Sequence, residues 1–198
     1  VDVHETLDDI RLQVAKDVTE GLSETQDILA EAKFKLLDAM NEDRRFAFLA
    51  IGRPEAAGCY CAINTYLRQV ISMLADEFDY VVIDGEAGIE QINRRVMEKV
   101  THLLLVTDPS KKGLDVVKTI DDVAKKLVMY DKAGVIVNRV PSDVDTSVID
   151  TRGIELLTCI CNDSDLATYD MMGKDVSKLP DEALVVKGAR EALIKMGI

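Results

Sequence analysis

Three short stretches carry residue types that can do chemistry. In the first, Asp84 follows Tyr80-Val81-Val82-Ile83 and precedes Gly85-Glu86-Ala87-Gly88. A carboxylate at the end of a buried strand, followed by a glycine turn, is where open α/β sheets place ligands. In a nucleotide-binding sheet such an Asp84 holds Mg²⁺ or its bound water, and a turn reaching Gly88 senses the γ-phosphate. The second stretch is Gly58-Cys59-Tyr60-Cys61. Two thiols at this spacing on a loop, just ahead of a helix, reach one soft metal ion, and the helix N-terminus favours thiolate. One chain supplies two sulfurs, and a two-fold axis would supply four. The third is a pair of polar strand ends, Thr107-Asp108-Pro109-Ser110 and Asn138-Arg139. An asparagine at such an end has both a donor and an acceptor, which suit a purine's ring nitrogen and exocyclic amine.

A fourth motif is absent. No G-x-x-x-x-G-K-[ST] phosphate loop, or lysine-rich variant of it, occurs in the chain. Ser110-Lys111-Lys112-Gly113 lacks the glycine spacing. Cys159-Ile160-Cys161 sits in an apolar run and reads as buried structure. His4 and His102 have no sequence partner for catalysis and read as structural.

These residues need a sheet to line them up. The runs Tyr80 to Ile83, Thr101 to Thr107, Ala133 to Asn138 and Glu155 to Cys161 read as strands of a buried parallel sheet. Arg44 to Ile51 alternates and reads as a further strand. Helices are expected from about Leu7 to Val18 behind a Thr6/Asp9 capping box, from Ser23 to Met40, and over Ile63 to Leu74. Others are expected around Ile92 to Val100, from Gly113 to Met129, around Val144 to Ile149, and from Pro180 to about Lys195. Strands alternating with helices of this length specify a doubly wound, mostly parallel α/β sheet with helices on both faces. The 198 residues suit one such domain, 1–198, and 47% hydrophobic content supplies a core.

The formal charge of −12 argues against nucleic-acid binding and against attachment to anionic membranes. No apolar run approaches the ~18 residues of a transmembrane span. Four cysteines in a chain of this size, with no visible signal peptide, fit a reducing cytoplasm better than a disulfide-stapled secreted scaffold. The chain opens on Val1 and reads as a fragment or a processed product.

Taken in order, Gly58-Cys59-Tyr60-Cys61, an amphipathic helix, Tyr80 to Gly88, Thr107-Asp108-Pro109 and Val137-Asn138-Arg139 resemble the CooC-type nickel-insertion ATPases of carbon monoxide dehydrogenase maturation. Those belong to the MinD, ParA and nitrogenase-iron-protein group of P-loop NTPases, and the resemblance runs along the whole chain. It implies a homodimeric ATPase using ATP and Mg²⁺. Asp84 would be the catalytic aspartate, Asn138 the adenine contact, and Arg139, Asp108 and Gly88 neighbours of the nucleotide. Cys59 and Cys61 would bind Ni²⁺ or Zn²⁺ between two subunits, with carbon monoxide dehydrogenase as the client. The loop Asn162-Asp163-Ser164-Asp165 looks like the family's base-facing loop. The family's first strand and phosphate loop have no counterpart here, so this chain alone is expected not to hydrolyse ATP. Iron-protein-type reductases bridge a cluster with two separated cysteines, and the second of these aligns at Ala87. MinD-like positioning proteins end in a basic lipid-binding helix. The segment Leu184 to Ile198 is mixed in charge, and no stable membrane anchor is expected.

Overall fold

The computed structural model describes residues 99–198 without interruption, together with 76–85, 46–50, 40–42 and Thr6, Asp9, Asp38 and Ser72. The chain divides into two compact units, Val1–Val82 and Ile83–Ile198.

In the first unit, the Thr6/Asp9 capping box forms. The Thr6 amide and hydroxyl both donate to Asp9 Oδ2, at 2.9 and 2.6 Å, and the Asp9 amide donates back to Thr6 Oγ1 at 3.3 Å. The strand expected over Arg44 to Ile51 is reduced to a two-residue strand, β2 (Ala47–Phe48), paired antiparallel with β1 (Asn41–Glu42). Alternation from Phe46 to Ala50 marks extended backbone, but Phe46 and Phe48 both stay exposed, and a face that buries nothing does not extend a ladder.

The apolar run before Asp84 also departs from expectation. Residues 80–85 adopt no regular secondary structure, and Tyr80 and Val82 are 72% and 94% exposed. Strand propensity measures fit to a pleated, half-buried surface rather than a backbone preference. Among the described residues no strand pairs with this run. The helices expected over 23–40, 63–74 and 92–100 lie largely outside the described residues; Asp38 and Ser72 are helical, and Val100 belongs to a strand.

The second unit holds a three-stranded, all-parallel sheet. Its strands are β3 (Lys99–Thr107), β4 (Met129–Val140) and β5 (Leu156–Cys161), in that spatial order. Helix α1 (Lys111–Leu127) follows β3. Two further helices, α2 (Ser164–Met171) and α3 (Leu184–Met196), follow β5. Side chains alternate across the sheet. On one face Val135 and Val137 of β4 pack with Leu105 of β3 and with Leu114 and Val117 of α1. On the other, Ile136 packs with Leu157 of β5 and with Ala192 and Met196 of α3. Each fully buried Val, Leu or Met in these layers contributes about 1.5–3 kcal/mol. Helices therefore cover both faces, as a doubly wound α/β fold requires.

Buried polar groups in this unit are paired. Asp121, 2% exposed on α1, meets Lys125 Nζ at 2.6 Å and Lys118 Nζ at 3.6 Å. Thr158 on β5 donates to Glu191 of α3 at 2.8 Å.

Two bulges shape the sheet. Between β4 and β5 the register runs Val135↔Leu156 and then Ile136↔Thr158, so Leu157 is an extra residue on β5. Gly134 makes room for it, because a Cβ there would lie 2.5 Å from Leu157 Cγ. The second bulge is on β4, where Asn138 and Arg139 together oppose Ile160. Where a helix was expected over 144–149, the β4–β5 connection carries only a 3-10 turn, Thr146–Val148, capped by the Asp145 side chain. The last helix begins at Leu184 rather than at Pro180, whose carbonyl closes a turn with the Ala183 amide.

Close approach between α3 and β5 depends on Gly188, where a Cβ would sit 2.4 Å from Ile160 Cγ1. Gly188→Ala is expected to cost about 1–3 kcal/mol by overpacking. Its urea midpoint should fall, and adding Ile160→Val should recover part of the loss; an unchanged midpoint would mean that α3 is not seated on β5 as described.

Candidate functional site at the strand ends

Parallel register decides what meets at the C-terminal edge of the sheet. Thr107 pairs with Val137, so the residues that follow, Asp108 and Asn138, leave adjacent strands side by side. β5 joins them: Val140 pairs with Cys161, and the Asn162 amide donates to the Val140 carbonyl at 3.1 Å. Asp108, Asn138-Arg139 and Asn162-Asp163 thus form one row.

Asp108 organises the β3–α1 corner. Its Oδ1 accepts from the Ser110 amide at 2.9 Å and from the Ser110 hydroxyl at 2.5 Å. Ser110 Oγ in turn accepts from the Gly113 amide at 3.0 Å and caps α1. The Ser110 hydroxyl and amide hold the Asp108 carboxyl below its ordinary range; slight desolvation opposes this, and the Arg139 guanidinium lowers it further. Gly113 is needed for closeness, since a Cβ there would lie 2.5 Å from both Asp108 Oδ1 and Thr107 Oγ1.

Asn138 is held by its own backbone. Its Oδ1 accepts from the Arg139 amide at 2.8 Å. That bond fixes which end of the amide is oxygen, so Nδ2 is left as the donor and one Oδ1 lone pair remains. Arg139 takes a left-handed backbone, φ 58°, at the bulge. For a non-glycine residue that conformation costs about 1–2 kcal/mol, and such outliers gather at functional sites.

Asp163 holds the third corner. Its Oδ1 accepts from the amides of Asp165 and Leu166, at 2.9 and 3.1 Å, and caps α2. Its Oδ2 accepts from the Val185 amide in the first turn of α3 at 2.8 Å. Burial raises its carboxyl, but the backbone donors of Val185, Leu166, Asp165 and Leu184 outweigh burial and hold it below the ordinary range. Sequence periodicity missed α2, because none of its residues is buried and no apolar stripe betrays it. The Asp163-Ser164-Asp165 cap was the available signal.

Of the residues predicted from sequence, the structure brings together Asp108, Asn138 and Arg139. Asp84 is exposed, in the 80–85 stretch outside the sheet. Gly88, Cys59 and Cys61 lie outside the described residues. Cys159 and Cys161, expected to be buried, are free thiols on β5 and only half-buried. Burial raises the Cys159 thiol, and Cys161 and Glu191 beside it add to the rise while Lys195 opposes it. Among the described residues, no group of three or more His, Cys, Asp and Glu side chains could hold a metal ion, and no helix is long and apolar enough to cross a membrane.

Among curated proteins, the chain is 32% identical to an uncharacterized ATP-binding protein of Methanocaldococcus jannaschii, over 99% of this chain and 79% of that protein. It is 31% identical to the carbon monoxide dehydrogenase accessory protein CooC of Rhodospirillum rubrum, over 59% of this chain and 45% of CooC. It is 23% identical to the septum site-determining protein MinD of Bacillus subtilis, over 77% of this chain and 60% of MinD. No protein-family model matches the chain, and no solved structure does.

The α1 cap yields a prediction with a pH signature. Ser110→Ala is expected to cost about 1 kcal/mol at neutral pH, as lost N-caps do. Asp108 has a depressed folded pKa, so its hold on Ser110 is complete above its unfolded value of about 3.9 and fades as pH falls through the folded value. Denaturation of wild type and Ser110→Ala should therefore show a gap that narrows below about pH 4; a gap independent of pH would separate Asp108 from the cap.

Proposed function

The chain belongs to a family of ATP-binding proteins with partial likeness to CooC and MinD, and on that premise we propose that it works as an ATPase with its base-recognition edge at Asn138. The observation that carries this reading is the adjacency of Asp108, Asn138 and Arg139 on one sheet edge, with the Asn138 amide pre-oriented by the Arg139 backbone. A purine placed there would receive a hydrogen bond from Nδ2 and offer its exocyclic amine to Oδ1. Arg139, exposed beside it, supplies positive charge at the same edge, close enough to Asp108 to lower its carboxyl.

Asp84 would act on the other half of the nucleotide. Mg²⁺ keeps most of its waters and takes one or two carboxylates along with the phosphates, and a single aspartate at the start of a glycine turn fits that donor set. Gly88 would let the turn approach the γ-phosphate. Backbone donors and a lysine for the phosphates remain to be supplied. On this reading the 198-residue chain alone should release no phosphate above background in the presence of Mg²⁺. The natural full-length protein should hydrolyse ATP, and Asp84→Asn should abolish turnover while leaving binding in place. Turnover retained in Asp84→Asn would remove Asp84 from catalysis.

The finer reading is nickel insertion, with carbon monoxide dehydrogenase as client. It is supported by the partial likeness to CooC and by Cys59-Tyr60-Cys61. Two chains would bring four thiolates to one ion, and ATP-driven closure would change their spacing and hence the affinity for metal. The expected stoichiometry is one Ni²⁺ or Zn²⁺ per two chains, lost in Cys59→Ser or Cys61→Ser and weakened as pH falls, because the ligands must be thiolates. Cys159→Ser should leave metal content unchanged. Metal analysis beside sedimentation checks this. One metal per monomer, or loss confined to Cys159→Ser, would leave the septum-protein likeness as the better guide to what the ATPase serves.

A further inference from the structure

We infer that Asp163 is a positioning residue for the nucleotide edge: its carboxylate closes the neck of the 164–184 excursion and thereby holds the β5–α2 turn beside Asn138. The inference deepens the proposed function and rests on it for the ligand's side.

Four observations carry it. Residues 164–184 leave the sheet after β5 and return at α3, and the two ends meet at one carboxylate, Oδ1 taking the start of α2 and Oδ2 taking Val185. Between those ends the excursion is held lightly: Ala183, at its returning end, is its one buried side chain, and Asp181 and Glu182 meet Arg190 and Lys187 of α3 as exposed ion pairs. α2 buries no residue, and its links run inward, Tyr169 OH donating to the Lys178 carbonyl at 3.1 Å and Lys174 Nζ lying 5.4 Å from the Tyr169 ring. α3, by contrast, is anchored independently through Gly188, Ala192 and Met196. The turn itself is joined to the end of β4 by the Asn162 amide, which donates to the Val140 carbonyl two residues beyond Asn138.

A segment whose one buried side chain, Ala183, lies at its returning end takes its stability from its termini. Freeing the neck should loosen 164–184 as a unit, leave the sheet unchanged, and let the turn drift from the place where a base would contact it. Asn at 163 separates the two bonds, because an amide keeps one acceptor oxygen. It caps a helix about as well as Asp but cannot also accept from Val185.

The test uses the natural full-length protein as wild type, Asp163→Ala, Asp163→Asn and Asn138→Ala. Hydrogen exchange is read by peptide, and ADP, adenosine and tripolyphosphate are titrated by calorimetry. In Asp163→Ala, amides of 164–172 should exchange faster by about tenfold, with β4 amides unchanged. Asp163→Asn should keep α2 protected and lose protection at Val185. ADP and adenosine should weaken by about tenfold in both variants, with tripolyphosphate unaffected, a pattern that general destabilisation would not produce. Unchanged exchange in Asp163→Ala would overturn the clamp. Unchanged ADP affinity in the Asp163 variants, with affinity lost in Asn138→Ala, would overturn the positioning role. ADP affinity retained in Asn138→Ala would instead remove the nucleotide reading, and the exchange data would still decide the clamp.

Discussion

The parallel pairing of β3 with β4 is the constraint on which the site depends. Eight residue pairs, ending at Thr107↔Val137, set one register. A slip of one residue would turn every side chain to the other face. It would turn Val135 and Val137 toward α3 and Ile136 toward α1, against packing each was not shaped for, and part Asp108 from Asn138. The register is protected because each face has its own helix. Core packing and site geometry are therefore the same fact seen from two ends of the strands.

At the C-terminal edge, the protein has used its own carboxylates on its own helix ends. Asp108 works through Ser110 on α1, and Asp163 serves α2 and α3 together. Helix N-termini are ready anion sites, and here three are occupied from within. What the edge leaves for a ligand is an oriented amide and an exposed guanidinium, groups suited to a base and its flanking charge more than to a triphosphate.

The readable parts of the sequence were those where burial imposes a period. β3, α1, β4 and β5 each bury apolar side chains, and all four are found within a few residues of their expected bounds. The misreadings share a cause. Tyr80 to Ile83 has the composition of a buried strand, yet composition does not supply a partner, and Val82 remains exposed. α2 forms with nothing to bury and so left no period to read. Asn138 and Asp108 could be picked out because polar residues closing apolar runs are conspicuous. The double role of Asp163 could not, since the Val185 amide on its second oxygen is distant in sequence and only the fold brings it there. Arg139's left-handed backbone was equally hidden, because nothing in its residue type requires it.

The central claim is that a nucleotide base meets the sheet edge at Asn138. Titrating isotope-labelled protein with Mg-ADP and following amide chemical shifts tests it most directly. The account predicts the largest changes at the Asn138 side-chain amide and at the backbone amides of Arg139, Asn162 and Asp163. Shifts confined to the outer surface of α1, around Lys112 and Thr119, with Asn138 unmoved, would contradict it.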